Sequence, residues 1–134
     1  MKANELMVGN WVLWKGKPVQ VARVSAVVYE FGHIDVTLAH CNDNGILESH
    51  DIKSISPIPL TDEILEKNFE RKEHGWQVKD CWKIWANPNY GYILATLVMD
   101  DFGGGSYEPC IPCTYLHELQ NAMTVLRSGK EIKP

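Results

Sequence analysis

A chain of 134 residues with 45% hydrophobic and 22% charged side chains has the balance of an ordinary globular protein of one domain or two very small ones. No apolar run approaches the roughly 18 residues of a membrane-spanning helix, and residues 1–10 lack the apolar stretch of a secretory signal, so we expect a cytoplasmic protein. The net charge of −4 disfavours a dedicated nucleic-acid-binding protein, whose affinity depends on neutralising phosphates.

The first part of the chain has the pattern of a small β-barrel. Two runs rich in Trp, Val and Leu flank the Lys-Gly-Lys-Pro sequence at residues 15–18, which predicts a β-hairpin. A third apolar run covers residues 27–31, residues 34–38 alternate between apolar and polar, and residues 42–45 predict a turn. Five short strands in under about 60 residues fit an SH3-like β-barrel, which we assign to residues 1–57.

The second part of the chain alternates between helix and strand signals. Prolines at residues 57 and 59 mark the boundary, because proline has no N–H for a central strand. Thr61 predicts the start of a helix that ends near Gly75, and Thr114 predicts the cap of a last helix that ends at Gly129. Three antiparallel strands are expected between them. The prediction is an α-β-β-β-α unit over residues 58–134, packed against the barrel, and an α+β, β-rich fold for the chain.

Two segments of the second part carry a resemblance. The sequence IPLTDEILEKNFE occupies residues 58–70, and the sequence YLHELQN occupies residues 115–121. Together they resemble the two ends of a family of uncharacterised small proteins encoded by prophages and mobile elements of gut anaerobic bacteria. A Gly-Glu pair closes that family's pattern, whereas residues 129–131 here read Gly-Lys-Glu. The resemblance implies this biological setting and an N-terminal barrel, as in longer members, but no activity or site residues.

Aromatic and basic side chains cluster near the first hairpin. Residues 1–28 contain four basic side chains and one acidic side chain, a local balance of +3. Trp11 and Trp14 have opposite parity along one strand, so we expect one in the core and the other exposed. The candidate binding residues are Trp11, Trp14, Lys15, Lys17, Arg23 and Tyr29. They indicate a binding or adaptor protein with a protein partner. The alternative is nucleic-acid binding through the basic hairpin.

The pattern Cys110-x2-Cys113-x3-His117 raises two chemical alternatives. A thioredoxin-like redox site requires a later strand, for which the 21 residues after Cys113 leave no room. A zinc site requires a fourth ligand, and the pattern lacks the second ligand pair typical of structural zinc. The alternative to both sites is structural: Cys110 and Cys113 are small apolar strand residues, and His117 is a polar residue in the first turn of the helix. We therefore expect no cofactor and no enzymatic activity. The residues that would have to complete a zinc site are Cys81, Cys41 or His40.

Overall fold

The computed structural model of the chain describes residues 2–26, 34–41 and 45–134. Within these ranges the protein is β-rich, with two antiparallel sheets and two α-helices, so the predicted α+β class is confirmed. The chain divides into two compact units. The first unit comprises Met1–Ile58, Tyr115–Asn121 and Pro134, and the second comprises Pro59–Thr114 and Ala122–Lys133.

The first unit contains a five-stranded antiparallel sheet with the strand order β4-β3-β2-β1-β5. Its strands are β1 (Trp11–Trp14), β2 (Lys17–Ala26), β3 (Ile34–Cys41), β4 (Leu47–Asp51) and β5 (Ile55–Pro57). Lys15 and Gly16 both have positive φ, 50° and 74°, and they form the two-residue turn of the predicted hairpin. Among the described strands, β4 and β5 do not pair, so this sheet is open.

The core of the first unit comes from the inward-facing positions of these strands. The alternation predicted at residues 34–38 is confirmed, because Val36 and Leu38 are fully buried. The apolar run at residues 27–31 and the turn residues 42–44 lie outside the described residues. The buried core residues are Leu6, Val12, Val19, Val21, Val36, Leu38 and Ile55.

The first half of helix α2 (Leu116–Val125) holds the N-terminal segment of the first unit through amide side chains. Gln120 accepts a hydrogen bond from the Trp11 N–H at 2.8 Å and donates one to the Gly9 carbonyl at 3.2 Å. The Asn10 amide donates to Asn121 Oδ1 at 2.9 Å. Gln120 thus provides the acceptor for the Trp11 N–H, whereas the Gly9 carbonyl also accepts from the Gln20 amide at 3.2 Å.

The start of α2 differs from the prediction by one residue. Tyr115 occupies the capping position, since its carbonyl accepts the first helical hydrogen bonds and its N–H donates to Glu118 Oε1 at 3.0 Å. The Thr114 hydroxyl instead donates to the Tyr90 carbonyl at 2.8 Å. Thr114 is therefore not the helix cap that the sequence predicts.

The second unit contains helix α1 and a second five-stranded antiparallel sheet. Helix α1 (Asp62–Asn68) begins as predicted, because the Thr61 hydroxyl accepts a hydrogen bond from the Ile64 N–H at 3.3 Å. The strand order is β10-β9-β8-β7-β6. The strands are β6 (Glu70–Lys72), β7 (Gly75–Lys79), β8 (Trp82–Asn87), β9 (Gly91–Met99) and β10 (Gly105–Cys113).

This sheet has five strands where three were predicted. Helix α1 ends at Asn68 rather than near Gly75, because the chain becomes extended at Phe69 and enters the short charged strand β6. Asp80 and Cys81 form a turn that separates β7 from β8, and this division accounts for the other additional strand. Gly75 lies at the start of β7 with φ of 141° and does not cap a helix.

Candidate functional site

A cleft of about 460 Å³ lies at the β1–β2 hairpin of the first unit. Four of the six predicted binding residues, Trp11, Trp14, Lys15 and Lys17, line this cleft together. The residues that line this hairpin cleft are Trp11, Trp14, Lys15, Lys17, Pro18, Val19, Gln20, Ala39 and His40.

The two tryptophans of the hairpin cleft are both half-buried, so the expectation of one buried and one exposed ring was wrong. The Trp14 ring packs against the core, with centroids 5.4 Å from His40 and 4.5 Å from His50. The Lys15 ammonium lies 4.6 Å from the Trp14 ring centroid. Because both side chains are half-buried, both rings contribute surface to the cleft.

The charge lining the hairpin cleft is positive. No lining residue carries a carboxylate, whereas Lys15 and Lys17 each carry an ammonium. Within the described ranges, no carboxylate lies within 4.0 Å of either ammonium. Glu48, which lies nearby on β4, is 3.2 Å from His50. Unpaired ammonium groups beside aromatic faces favour an anionic ligand.

The other two predicted binding residues do not join this cleft. Arg23 is exposed on β2 but lies six residues beyond Lys17, a separation of about 20 Å along a strand. The basic residues of β2, Lys17 and Arg23, are therefore not concentrated at one point. Tyr29 lies outside the described residues.

The cysteines of the predicted zinc pattern lie on β10. Cys110 is exposed, and its thiol donates to the Glu108 carbonyl at 3.3 Å. Cys113 is buried, and its thiol lies 3.8 Å from the Ile111 carbonyl. In the part of the chain that the structure describes, no group of three or more His, Cys, Asp or Glu side chains is placed to hold a metal ion.

His117 is a buried residue of α2. Its side chain is 1% exposed and stacks on Tyr115, with ring centroids 5.9 Å apart. Neither ring nitrogen has a hydrogen-bond partner among the described residues, and Nε2 lies 3.9 Å from Glu5 Oε2. Burial lowers the pKa of His117, although the carboxylates of Glu118 and Glu5 act in the opposite direction. The neutral imidazole is a component of the interior.

A second cleft, of about 510 Å³, lies in the second unit and was not found from the sequence. Of the three tryptophans in the second unit, Trp76 is buried, whereas Trp82 and Trp85 are half-buried. Trp85 has the parity of Lys83 and is opposite to the buried Ile84, which was the available signal for an open face. The residues that define this sheet cleft are Asp62, Arg71, Glu73, His74, Gly75, Trp76, Lys83, Trp85, Ala86 and Tyr107.

Cations lie over aromatic faces in the sheet cleft. The Arg71 guanidinium is 4.4 Å from the Trp76 ring centroid, and the Lys83 ammonium is 4.9 Å from the Tyr107 centroid. Trp85 meets Tyr107 edge to face, with centroids 6.3 Å apart at 87°. These contacts hold the aromatic rings in fixed orientations.

At the edge of the sheet cleft, the Tyr92 hydroxyl donates a hydrogen bond to Asp62. Burial raises the pKa of Tyr92, and the hydrogen bond to Asp62 and its negative charge act in the same direction. Tyr92 therefore remains a neutral phenol that satisfies one oxygen of Asp62.

Comparison with protein-family models, with curated proteins and with solved structures finds no match to this chain. Neither α1 nor α2, the helices of the described residues, is long and apolar enough to span a membrane. Functional inference therefore depends on the geometry and charge of the two clefts.

Proposed function

We propose that this protein is a non-catalytic binding or adaptor protein, and that its hairpin cleft takes an acidic segment of a protein partner. One observation carries the proposal. Trp11, Trp14, Lys15 and Lys17 line a single cleft that contains no carboxylate. Ammonium groups steer an acidic segment to the cleft, and the indole surfaces supply apolar contact once it is bound.

For a short ligand, the positive charge of the hairpin cleft matters more than the negative net charge of the whole chain. The net charge of −4 repels a long polyanion, whose affinity depends on many phosphate contacts at once. An acidic peptide segment of a few residues meets only the two ammonium groups of Lys15 and Lys17 and the neighbouring His40.

An SH3-like barrel in the first unit is part of the proposal. Strands β1 to β4 follow one another in the sheet, and β5 returns to pair with β1 after a short 3-10 helix at Ile52–Ser54. That is the strand order expected of an SH3-like barrel. Such domains bind peptide segments in grooves lined by aromatic side chains.

We also propose a prophage or mobile-element origin and a cytoplasmic location. The origin is supported by the resemblance carried by residues 58–70 and 115–121. The location is supported by Cys81 and Cys110, which are exposed thiols without a disulfide, because exposed thiols persist in reducing compartments.

A second candidate function is single-stranded nucleic-acid binding. The observation in its favour is the position of the Lys15 ammonium over the Trp14 ring, since unpaired bases stack on aromatic side chains beside cations. The position of Arg23 outside the cleft and the net charge of −4 reduce the electrostatic contribution that this function requires.

Titration of the full chain, followed by tryptophan fluorescence, tests the proposal. The probes are a short peptide of alternating Glu and Leu and an oligothymidylate. We expect the peptide to bind more tightly, and the double variant Lys15→Gln/Lys17→Gln to weaken its binding by about tenfold or more through the loss of two charge-assisted contacts.

Lys53→Gln is the matched control, because Lys53 is exposed in the same unit but does not line the hairpin cleft. Its peptide affinity should equal that of the unmodified chain. Tighter oligothymidylate binding that weakens steeply with added salt would replace the proposal with the second candidate. Absence of binding to both probes, or an equal loss in Lys53→Gln, would contradict it.

A further inference from the structure

We infer that the sheet cleft of the second unit is a separate binding site for a small aromatic carboxylate. This inference does not depend on the ligand of the hairpin cleft, because the two clefts share no residue. It rests on the aromatic surfaces, on the unequal pairing of the charged groups and on the rigid strands that carry them.

The aromatic surfaces suit a planar ring. Trp85 and Tyr107 are both half-buried and lie almost perpendicular to each other, so a ring that stacks on one meets the edge of the other. Trp76, which is 2% exposed, is the buried aromatic residue of the cleft. The volume of about 510 Å³ is in the range of small-molecule pockets.

The carboxylates at the sheet cleft already have partners. Asp62 accepts the hydrogen bond from the Tyr92 hydroxyl. Glu73 lies 4.0 Å from the neighbouring His74, and both of these side chains are largely exposed. Among the described residues, neither carboxylate lies within 4.0 Å of the Arg71 or Lys83 side-chain nitrogens.

The cations of the sheet cleft differ in their pairing. Arg71 is bound to Glu66 with an N–O distance of 2.7 Å. Lys83 contacts the Tyr107 ring, and no carboxylate of the described ranges lies within 4.0 Å of its ammonium. The single unpaired ammonium of Lys83 can neutralise one negative charge on a ligand. A phosphate monoester, with nearly two charges, would experience stronger repulsion from Asp62 and Glu73.

The sheet positions the ammonium and the rings before a ligand arrives. Lys83 pairs with Ala95 on β9, and Tyr107 pairs with Leu97 on the other side of the same strand. Lys83 and Tyr107 therefore lie on one face and are separated by a strand whose intervening residue, Ala95, is small and fully buried. Groups fixed on paired strands lose little conformational freedom on binding, which favours affinity.

The experiment is a titration of the full ¹⁵N-labelled chain with 2-naphthoate, followed by amide and indole NMR shifts. We expect shifts at Lys83, Trp85 and Tyr107. Lys83→Met keeps the aliphatic stem and removes the charge, and it should weaken binding by about tenfold, the effect of losing one charge-assisted contact. Lys83→Arg keeps the charge and should retain most of the affinity.

Two comparisons make the result decisive. Lys17→Met removes a cation from the hairpin cleft and should leave the affinity for 2-naphthoate unchanged, which separates this inference from the proposed function. The neutral analogue 2-naphthylmethanol should bind more weakly than the carboxylate. No shift at these residues, equal binding of the neutral analogue, or an unchanged affinity in a folded Lys83→Met variant would overturn the inference.

Discussion

At the scale of single residues, Gly75 has the most restrictive environment among the described glycines. Its φ is 141°, and a Cβ built on it would lie 2.2 Å from the Ile84 carbonyl oxygen and 3.0 Å from the Trp85 Cβ. The contact is with the backbone of the adjacent strand β8, so no side-chain rotation relieves it. Glycine at this position allows β7 and β8 to pair below the sheet cleft.

We therefore expect Gly75→Ala to lower the free energy of unfolding by about 3 kcal/mol, at the upper end of overpacking costs. The measurement is chemical denaturation followed by tryptophan fluorescence. Gly103→Ala is the control, because Gly103 has φ of 81° but open space around its Cβ position. That variant should lose only the left-handed backbone cost of about 1 kcal/mol. Similar losses in the two variants would contradict the steric explanation.

At the level of secondary-structure elements, α2 ends in a Schellman motif whose left-handed position is occupied by an arginine instead of a glycine. The Ser128 N–H donates to the Met123 carbonyl and the Arg127 N–H donates to the Thr124 carbonyl, the two hydrogen bonds of a Schellman motif. Arg127 occupies the left-handed position with φ of 53°, which glycine usually fills. The left-handed residue that terminates the helix thus lies two residues before Gly129, where the sequence predicts the helix end.

Arg127→Gly should raise the free energy of unfolding by about 0.5–1 kcal/mol, because removing the left-handed strain outweighs the extra freedom of glycine in the unfolded chain. Thermal and denaturant unfolding measure it. Arg127→Ala removes the same side chain but keeps the strain, so its stability should match that of the unmodified chain. Equal stabilisation by alanine would assign the effect to the arginine side chain instead.

The start of α1 and the first hairpin were predictable, because Thr61 and the Lys15-Gly16 turn act through neighbouring backbone groups. Strand β6 was not, because its sequence Glu-Arg-Lys has no apolar alternation and forms a strand only by pairing with β7. Half of the hairpin cleft was predictable, since its residues are close in sequence.

The sheet cleft required information that local sequence does not contain. Lys83 and Tyr107 meet through the register of three strands, and they are far apart in the chain. Gln120 likewise contacts Gly9 and Trp11 over separations of 111 and 109 residues. Strand register and tertiary hydrogen bonds, rather than propensity, determine these positions.

At the scale of the whole molecule, His117 links folding to pH. Its pKa in the folded protein lies below the ordinary value of 6.5, chiefly because of burial, so the unfolded chain binds more protons between these two values. The free energy of unfolding should therefore fall as pH decreases below about 6.5, with a slope of at most about 1.4 kcal/mol per pH unit for one proton. Stability from this group is fully present above its unfolded pKa.

Denaturation at a series of pH values between 7.5 and 5 tests this dependence. His117→Leu should flatten the curve in this range, although the substitution also changes the stability at pH 7.5. An unchanged slope in His117→Leu would assign the pH dependence to other groups.

The contacts of Gln120 and Asn121 determine when the first unit can be completed during synthesis. Residues 59–114 of the second unit separate the five strands of the first unit from residues 115–121, which complete it. At elongation rates of about 5–20 residues per second, the ribosome needs roughly 3–11 s to synthesise this interval. During that time the Trp11 N–H lacks its Gln120 acceptor, whereas the Gly9 carbonyl can already accept from the Gln20 amide. The strands of the first unit are therefore synthesised well before the helical residues that complete the unit.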